Sequence, residues 1–310
     1  MAGPAGGWLL QEKGKLIEMG KRTIRVAHSP DSDDAFMFYA LATRKIDTRN
    51  LVYEHTLSDI ETLNQKAMLG EFEVSAISFH AYAYLDDRYA LLASGGSVGR
   101  NYGPVVVSTR TLKKRNLGDV EVAVPGELTT AFLALRLFEP AVRWRIVPFD
   151  RILDRMERGE IEAGLLIHEG QLSYRESGFH KVVDLGEWWQ SETGLPLPLG
   201  GNIIRRDLGR PLMEEIAGDI QDSIRYALDH RQEALEYAME FARGLDPQRA
   251  DRFVGMYVND LTLDYGDRGR EGIRTLLGRA SDQGLIPRMP ALEFVERAES
   301  SPPRSISPRA

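Results

Sequence analysis

The chain is 310 residues long, 43% hydrophobic and 27% charged, enough for two domains with real cores or one large one. Its net charge of -7 argues against a general nucleic-acid or anionic-membrane binder and leaves a small anionic ligand in a local pocket as the open partner class. There is no cysteine, so disulfides, thiolate catalysis, zinc–thiolate sites and iron–sulfur clusters are excluded.

Residues 1–21, Gly-rich at first and then Lys/Glu-bearing, read as an N-terminal tail. They lack the basic and long apolar regions of a signal peptide, and no stretch approaches the ~20 apolar residues of a membrane span. A cytoplasmic protein with no membrane partner is the expectation. Order begins with the alternating run 23–28, a strand, followed by Ser29-Pro30-Asp31-Ser32-Asp33-Asp34 and an apolar helix. Acids at a helix start are read as caps in preference to a cation site. A strand at 51–55 leads to an amphipathic helix from Asp59 that ends at Gly70. A third strand, 74–78, ends on Ser78, a ligand contact or an N-cap. Two strands around 91–94 and 103–107 are joined by a glycine-rich loop, where Arg100 offers positive charge.

The pattern then restarts. A strand at 120–124 and a turn at Pro125-Gly126 precede Thr129-Thr130 at the start of an apolar helix. Two hydroxyls with free helix amides make an anion site, a role compatible with plain capping. A strand at 142–147 and a helix through 152–156 lead into Gly164-Leu165-Leu166-Ile167-His168-Glu169-Gly170. This short apolar run reads as a buried strand with a histidine at its C-terminal end, where open α/β sheets place ligands. Histidine is the side chain whose ordinary titration lies near neutrality, which suits a general base. The bland alternative is a satisfied strand-end histidine. His28 and His80 are the other histidines near the expected cleft, whereas His55, His180 and His230 have surface-like contexts. Glu169 is a weak candidate for orienting the ring, because adjacent strand residues face opposite sides.

Leu195-Pro196-Leu197-Pro198-Leu199-Gly200 suits an extended crossing segment and not a central strand. The remainder reads as helices at about 210–243, 247–258 and 267–283, with a short return through 292–295 and a disordered tail containing Ser300-Ser301-Pro302-Pro303. The fold class is therefore α/β with two lobes and a cleft between them. Lobe 1 is expected to comprise 22–111 and 198–297, lobe 2 is the inserted segment 112–197, and 298–310 is a C-terminal tail.

Several motifs occur in a fixed order: Ser29-Pro30 through Leu41, Glu61-Thr62-Leu63-Asn64, Ser94-Gly95-Gly96, Gly103-Pro104, Thr129-Thr130-Ala131, Ile167-His168-Glu169 and Gly194 through Gly200. From about residue 22 to 297 the set resembles the 1,4-dihydroxy-6-naphthoate synthase family of the futalosine route to menaquinone. The resemblance implies a periplasmic-binding-protein-like fold, no metal and no organic cofactor. It also implies a lyase that releases 1,4-dihydroxy-6-naphthoate from cyclic dehypoxanthine futalosine, a small-molecule carboxylate. It places the catalytic base at His168 and substrate contacts at Ala76, Ile77, Ser78, Thr129 and Thr130, with Arg100 added from the residue reading. Two positions depart from the family pattern: Ala76 stands at a lysine-like position, and Asp31-Ser32-Asp33 replaces Cys-Pro-Asn. The alternatives are chorismate dehydratase, a solute-binding protein of a transporter, and a ligand-sensing domain of a regulator.

Overall fold

The computed structural model describes residues 20–168, 170–241, 246–299 and 301–307. Residues 1–19 of the expected N-terminal tail, Glu169, Ser300 and 308–310 lie outside the described residues, as do 242 and 243 of the expected long helix.

The segment from β1 to β3 alternates strand and helix as its patterning dictates. β1 (Arg22–His28), α1 (Ser32–Ala42), β2 (Leu51–Leu57), α2 (Ile60–Leu69) and β3 (Val74–Ser78) follow in order. After them come α3 (Phe79–Tyr82), β4 (Tyr89–Leu92) and β5 (Ser97–Gly99). α1 is apolar on all sides and is buried from Ser32 to Leu41, as a helix without a polar face must be. α2 begins on Asp59, whose carboxylate accepts from Thr62 N–H, and ends on left-handed Gly70.

The chain then crosses to a second sheet. β6 (Val105–Ser108), β7 (Glu121–Val124), α4 (Thr130–Phe138), β8 (Arg143–Ile146), α5 (Ile152–Glu157) and β9 (Ala163–Leu166) are followed by α6 (Gly170–Ser173), β10 (His180–Asp184) and α7 (Leu185–Thr193). It returns through β11 (Leu197–Arg205), α8 (Arg210–Asp229), α9 (Arg231–Met239), α10 (Pro247–Tyr257), α11 (Asp260–Leu263), α12 (Gly266–Asp282) and β12 (Phe294–Val295).

The first sheet has the order β12-β4-β11-β3-β1-β2, with β5 paired to β11; the second has the order β10-β6-β9-β7-β8. The result is the two-lobed, periplasmic-binding-protein-like α/β architecture, with a cleft between the lobes. β1 runs parallel to β3, β7 runs parallel to β9, and β11 runs antiparallel to β3. The C-terminal ends of β1 and β3 and the start of β11 therefore share one end of the first sheet.

Several expectations are corrected here. β6 pairs with β9 and β10, so the strand at 105–108 belongs to the second sheet although it lies inside the expected 22–111 segment. β11 is a central strand between β3 and β4, not merely a crossing segment. Its proline is tolerated because Pro198 lies beside β5, where the register shifts between Pro198 and Gly200, and the central part has no proline. The helix expected over 210–243 breaks at His230, whose ring stacks on Tyr226 at 3.9 Å and whose Nδ1 lies 3.0 Å from Tyr226 O. The described part of the C-terminal tail, expected to be disordered, is docked at Arg304 and Ile306. Arg304 forms ion pairs with Asp219 and Glu215, its backbone N–H donates to Asp222 at 2.6 Å, and Ile306 bridges to Ile46.

The segment leading into β6 packs against the first turn of α7 at a pair of glycines. A Cβ on Gly186 would lie 2.0 Å from Tyr102 O, and one on Gly103 would lie 2.9 Å from Gly186 N. Only glycine at both positions allows this backbone approach.

Candidate functional site

Four strand ends and the start of β11 converge on one cleft. Its empty space, counting the part that opens to solvent, is about 720 Å³. After β1 come Ser29, Asp33 and Asp34; after β3, Ser78; after β7, Thr129 and Thr130; after β9, Ile167 and His168. Leu199, Gly200 and Gly201 of β11 and Phe253 and Tyr257 of α10 complete the wall. No lysine or arginine lines it among the described residues. The Ala76, Ile77, Ser78, Thr129, Thr130 and His168 of the sequence reading are thus brought together. Arg100 is not: it lies on the surface, paired with Asp260 at 2.7 Å.

His168 has φ +53, a left-handed conformation that a non-glycine residue adopts only when its surroundings enforce it. The amide of Gln171 supplies part of that enforcement. With its nitrogen donating to Gly103 O at 2.7 Å, its oxygen accepts from His168 N–H at 3.2 Å and from Tyr257 O–H at 3.1 Å. The imidazole meets Phe149 edge-on, with centroids 5.1 Å apart. Its Nδ1 lies 3.0 Å from a carboxylate oxygen of Asp31, which is itself almost wholly buried. A carboxylate can only accept, so Nδ1 carries the proton and Nε2 presents its lone pair. Nε2 has no partner among the described residues.

Asp31 is the residue that sequence reasoning misplaced. It stands at the N-cap of α1, but its side chain makes no cap bond. Asp34 behaves differently from a cap too. It accepts from Ser29 N–H at 2.7 Å, and burial, with the nearby Asp31 carboxylate, pushes its carboxyl up to about 6 despite the Ser29 bonds.

The other histidines do not line the cleft. His28 is buried and stacked on Phe38 at 4.4 Å, with Nδ1 3.0 Å from Ser29 O and Nε2 3.1 Å from His55 Nδ1. Burial pushes it down to about 4. His55 is not a surface histidine as expected: burial, with His28 beside it, pushes it down to about 3. His80 is also buried and pushed down to about 4 by burial.

The hydroxyls divide by duty. Thr129 Oγ accepts from Phe132 N–H at 3.2 Å and donates to Gly126 O at 2.9 Å, so its capacity goes into capping α4. Thr130 Oγ accepts from His80 N–H at 3.2 Å, and Ser78 Oγ accepts from Asn64 Nδ2 at 3.2 Å. Each of those two keeps its own O–H to donate. The N–H groups of Thr130 and Ala131, in the first turn of α4, have no acceptor within the helix. Asn64 went unread as a site residue although its motif was noted. It is fully buried on α2, accepts from Ser78 N–H at 2.9 Å and reaches Leu128 O at 3.4 Å. Glu61 accepts from Leu128 N–H at 3.2 Å, so α2 holds the loop before α4 from across the cleft. Among the described residues no cluster of three or more His, Cys, Asp or Glu side chains is placed to hold a metal ion, and no helix is long and apolar enough to cross a membrane.

Comparison with known proteins follows the same lines. Residues 24–282 match a family model described as menaquinone biosynthesis. The chain is 40% identical over 272 residues to the 1,4-dihydroxy-6-naphthoate synthase of Thermus thermophilus, covering 88% of this chain and 99% of that one. It is 39% identical to the same-named enzyme of Streptomyces coelicolor, covering 87% and 96%. A crystal structure of a protein from Archaeoglobus fulgidus superposes with a TM-score of 0.82 at 48% identity, over 85% of this chain and 98% of that one. The alkanesulfonate-binding protein of Xanthomonas axonopodis pv. citri superposes with a TM-score of 0.67 at 10% identity, over 88% and 98%, and shares the fold alone.

Proposed function

The chain belongs to the menaquinone-biosynthesis family, and from that premise we propose that it is a carbon–carbon lyase converting cyclic dehypoxanthine futalosine to 1,4-dihydroxy-6-naphthoate. The observation that carries the chemistry is His168 Nε2: buried, unpartnered and on the cleft wall, with the ring proton held on the opposite nitrogen by Asp31. Making an aromatic naphthalene from a cyclised, saturated precursor requires loss of a proton, and a neutral imidazole accepts one at neutral pH. We assign His168 as that base.

The substrate carboxylate is assigned to the N-terminus of α4. The free amides of Thr130 and Ala131 and the hydroxyls of Thr130 and Ser78 donate to it, and the helix dipole favours its charge. With no lysine or arginine on the wall among the described residues, these dipoles carry the anion. Ala76 and Ile77 supply apolar wall, and Thr129 shapes the site by capping the helix. Arg100 is left out of the contact set because its guanidinium is engaged with Asp260. The proposed hinge lies at the two crossings, residues 100–104 and 194–196, with the first-sheet and second-sheet segments as the moving bodies.

The test is incubation of the pure protein with cyclic dehypoxanthine futalosine, with no added metal or organic cofactor, reading 1,4-dihydroxy-6-naphthoate by absorbance and mass. Release of the naphthoate is the expected result. Inertness toward that substrate together with dehydration of chorismate would replace the assignment with chorismate dehydratase. Tight binding of either compound without turnover would favour a binding protein.

A further inference from the structure

We propose that Asp31 is a positioning residue for His168, fixing its tautomer and its aim from the opposite lobe. The inference rests on the reading of His168 as the base. Asp31 follows a strand of the first sheet and His168 follows a strand of the second, yet the carboxylate and Nδ1 are 3.0 Å apart. Asp31 does not act as the cap of the helix that it introduces. Its side chain makes no cap bond, and its backbone carbonyl already accepts from Ala35 N–H at 2.9 Å. A carboxylate buried to this degree is costly unless paired, and the imidazole N–H is a partner that the geometry supplies.

The other restraints on His168 act elsewhere. Gln171 binds its backbone N–H and Phe149 abuts its ring edge, and neither distinguishes the two ring nitrogens. Asp31 alone among these contacts selects Nδ1 as the protonated nitrogen and thereby leaves Nε2 basic. A histidine with the other tautomer would present an N–H to the cleft and could not accept the substrate proton.

The experiment compares Asp31→Asn, Asp31→Ser and His168→Asn in the full chain. Serine is a good N-cap residue and preserves the start of α1, while being too short to reach the ring, so it serves where the amide variant folds poorly. Both Asp31 variants should keep KM within about 2-fold and lose turnover by roughly 10- to 1,000-fold, as a base loses its orienting partner. Adding Asp31→Asn to His168→Asn should cost nothing further, since the two act as a unit. Independently of activity, ¹⁵N ring spectra of the wild type should show the His168 proton on Nδ1 and, in Asp31→Ser, a redistribution toward Nε2. Wild-type turnover in both Asp31 variants, or an unchanged ring tautomer, would overturn the proposal while leaving the base assignment intact. Full turnover in His168→Asn would instead remove the base reading, and the role of Asp31 with it.

Discussion

At the scale of single residues, the site is set by where burial is matched by a partner and where it is not. His168 drew attention as a histidine ending an apolar strand within the Ile167-His168-Glu169 motif, and it does line the cleft. Asp31 was not legible, because three acids at a helix start look alike in sequence and only the fold shows which one crosses the cleft. Asp34 shows the difference in its titration. Its folded value of about 6 is above the ordinary 3.8, because burial penalises the charged form. Its protonated form is therefore the favoured one in the fold: the contribution is complete below about pH 4 and is lost as pH rises through about 6. Asp34→Asn should be indistinguishable from wild type in stability near pH 4. It should then gain on wild type up to pH 7, by at most about 3 kcal/mol, if the amide keeps the Ser29 bond. Denaturant unfolding at pH 4, 5, 6 and 7 reads this directly, and a pH-independent difference would contradict it. The buried histidines have the opposite sign: His28 and His80, at about 4, weaken the fold as pH drops below about 6.5.

At the scale of elements, most strands and helices were readable from periodicity and punctuation, and the errors have physical causes. Pro196 and Pro198 argued against a central strand, but a nine-residue strand can carry its proline at one end and lie centrally with the other. β5 pairs with β11 instead of forming a hairpin with the following strand, a long-range choice that no local signal encodes. The start of α4, with Thr129 at its N-cap and Thr130 in its first turn, shows how a motif can be right in place and divided in role. Thr129→Val removes a cap and should cost about 1 kcal/mol of stability, seen in unfolding, with little change in KM. Thr130→Val removes a hydroxyl free to donate and should weaken substrate binding by about 1.5–3 kcal/mol, seen by calorimetry. The reverse pattern would exchange the two assignments.

At the scale of the molecule, two lobes joined by two crossings were legible from the restart of the strand–helix pattern near residue 120. The position of the first crossing was less so, because the apolar run at 105–108 reads as a strand without revealing its sheet. Contacts across the cleft are numerous in kind: Asp31 to His168, Glu61 and Asn64 to the 126–128 loop, and Gln171 to Tyr257. A ligand that touches both walls should favour the closed population. Small-angle scattering should then give a smaller radius of gyration with bound substrate analogue than without, and an unchanged radius would count against hinge closure. Closure aside, catalysis depends on proton abstraction in the cleft by His168. The most direct measurement is single-turnover kinetics of His168→Asn at saturating substrate, with affinity measured in parallel. Naphthoate formation should be slowed by roughly 10²–10⁴ with binding nearly intact. Near-wild-type turnover in that variant would contradict the role of His168 as the base.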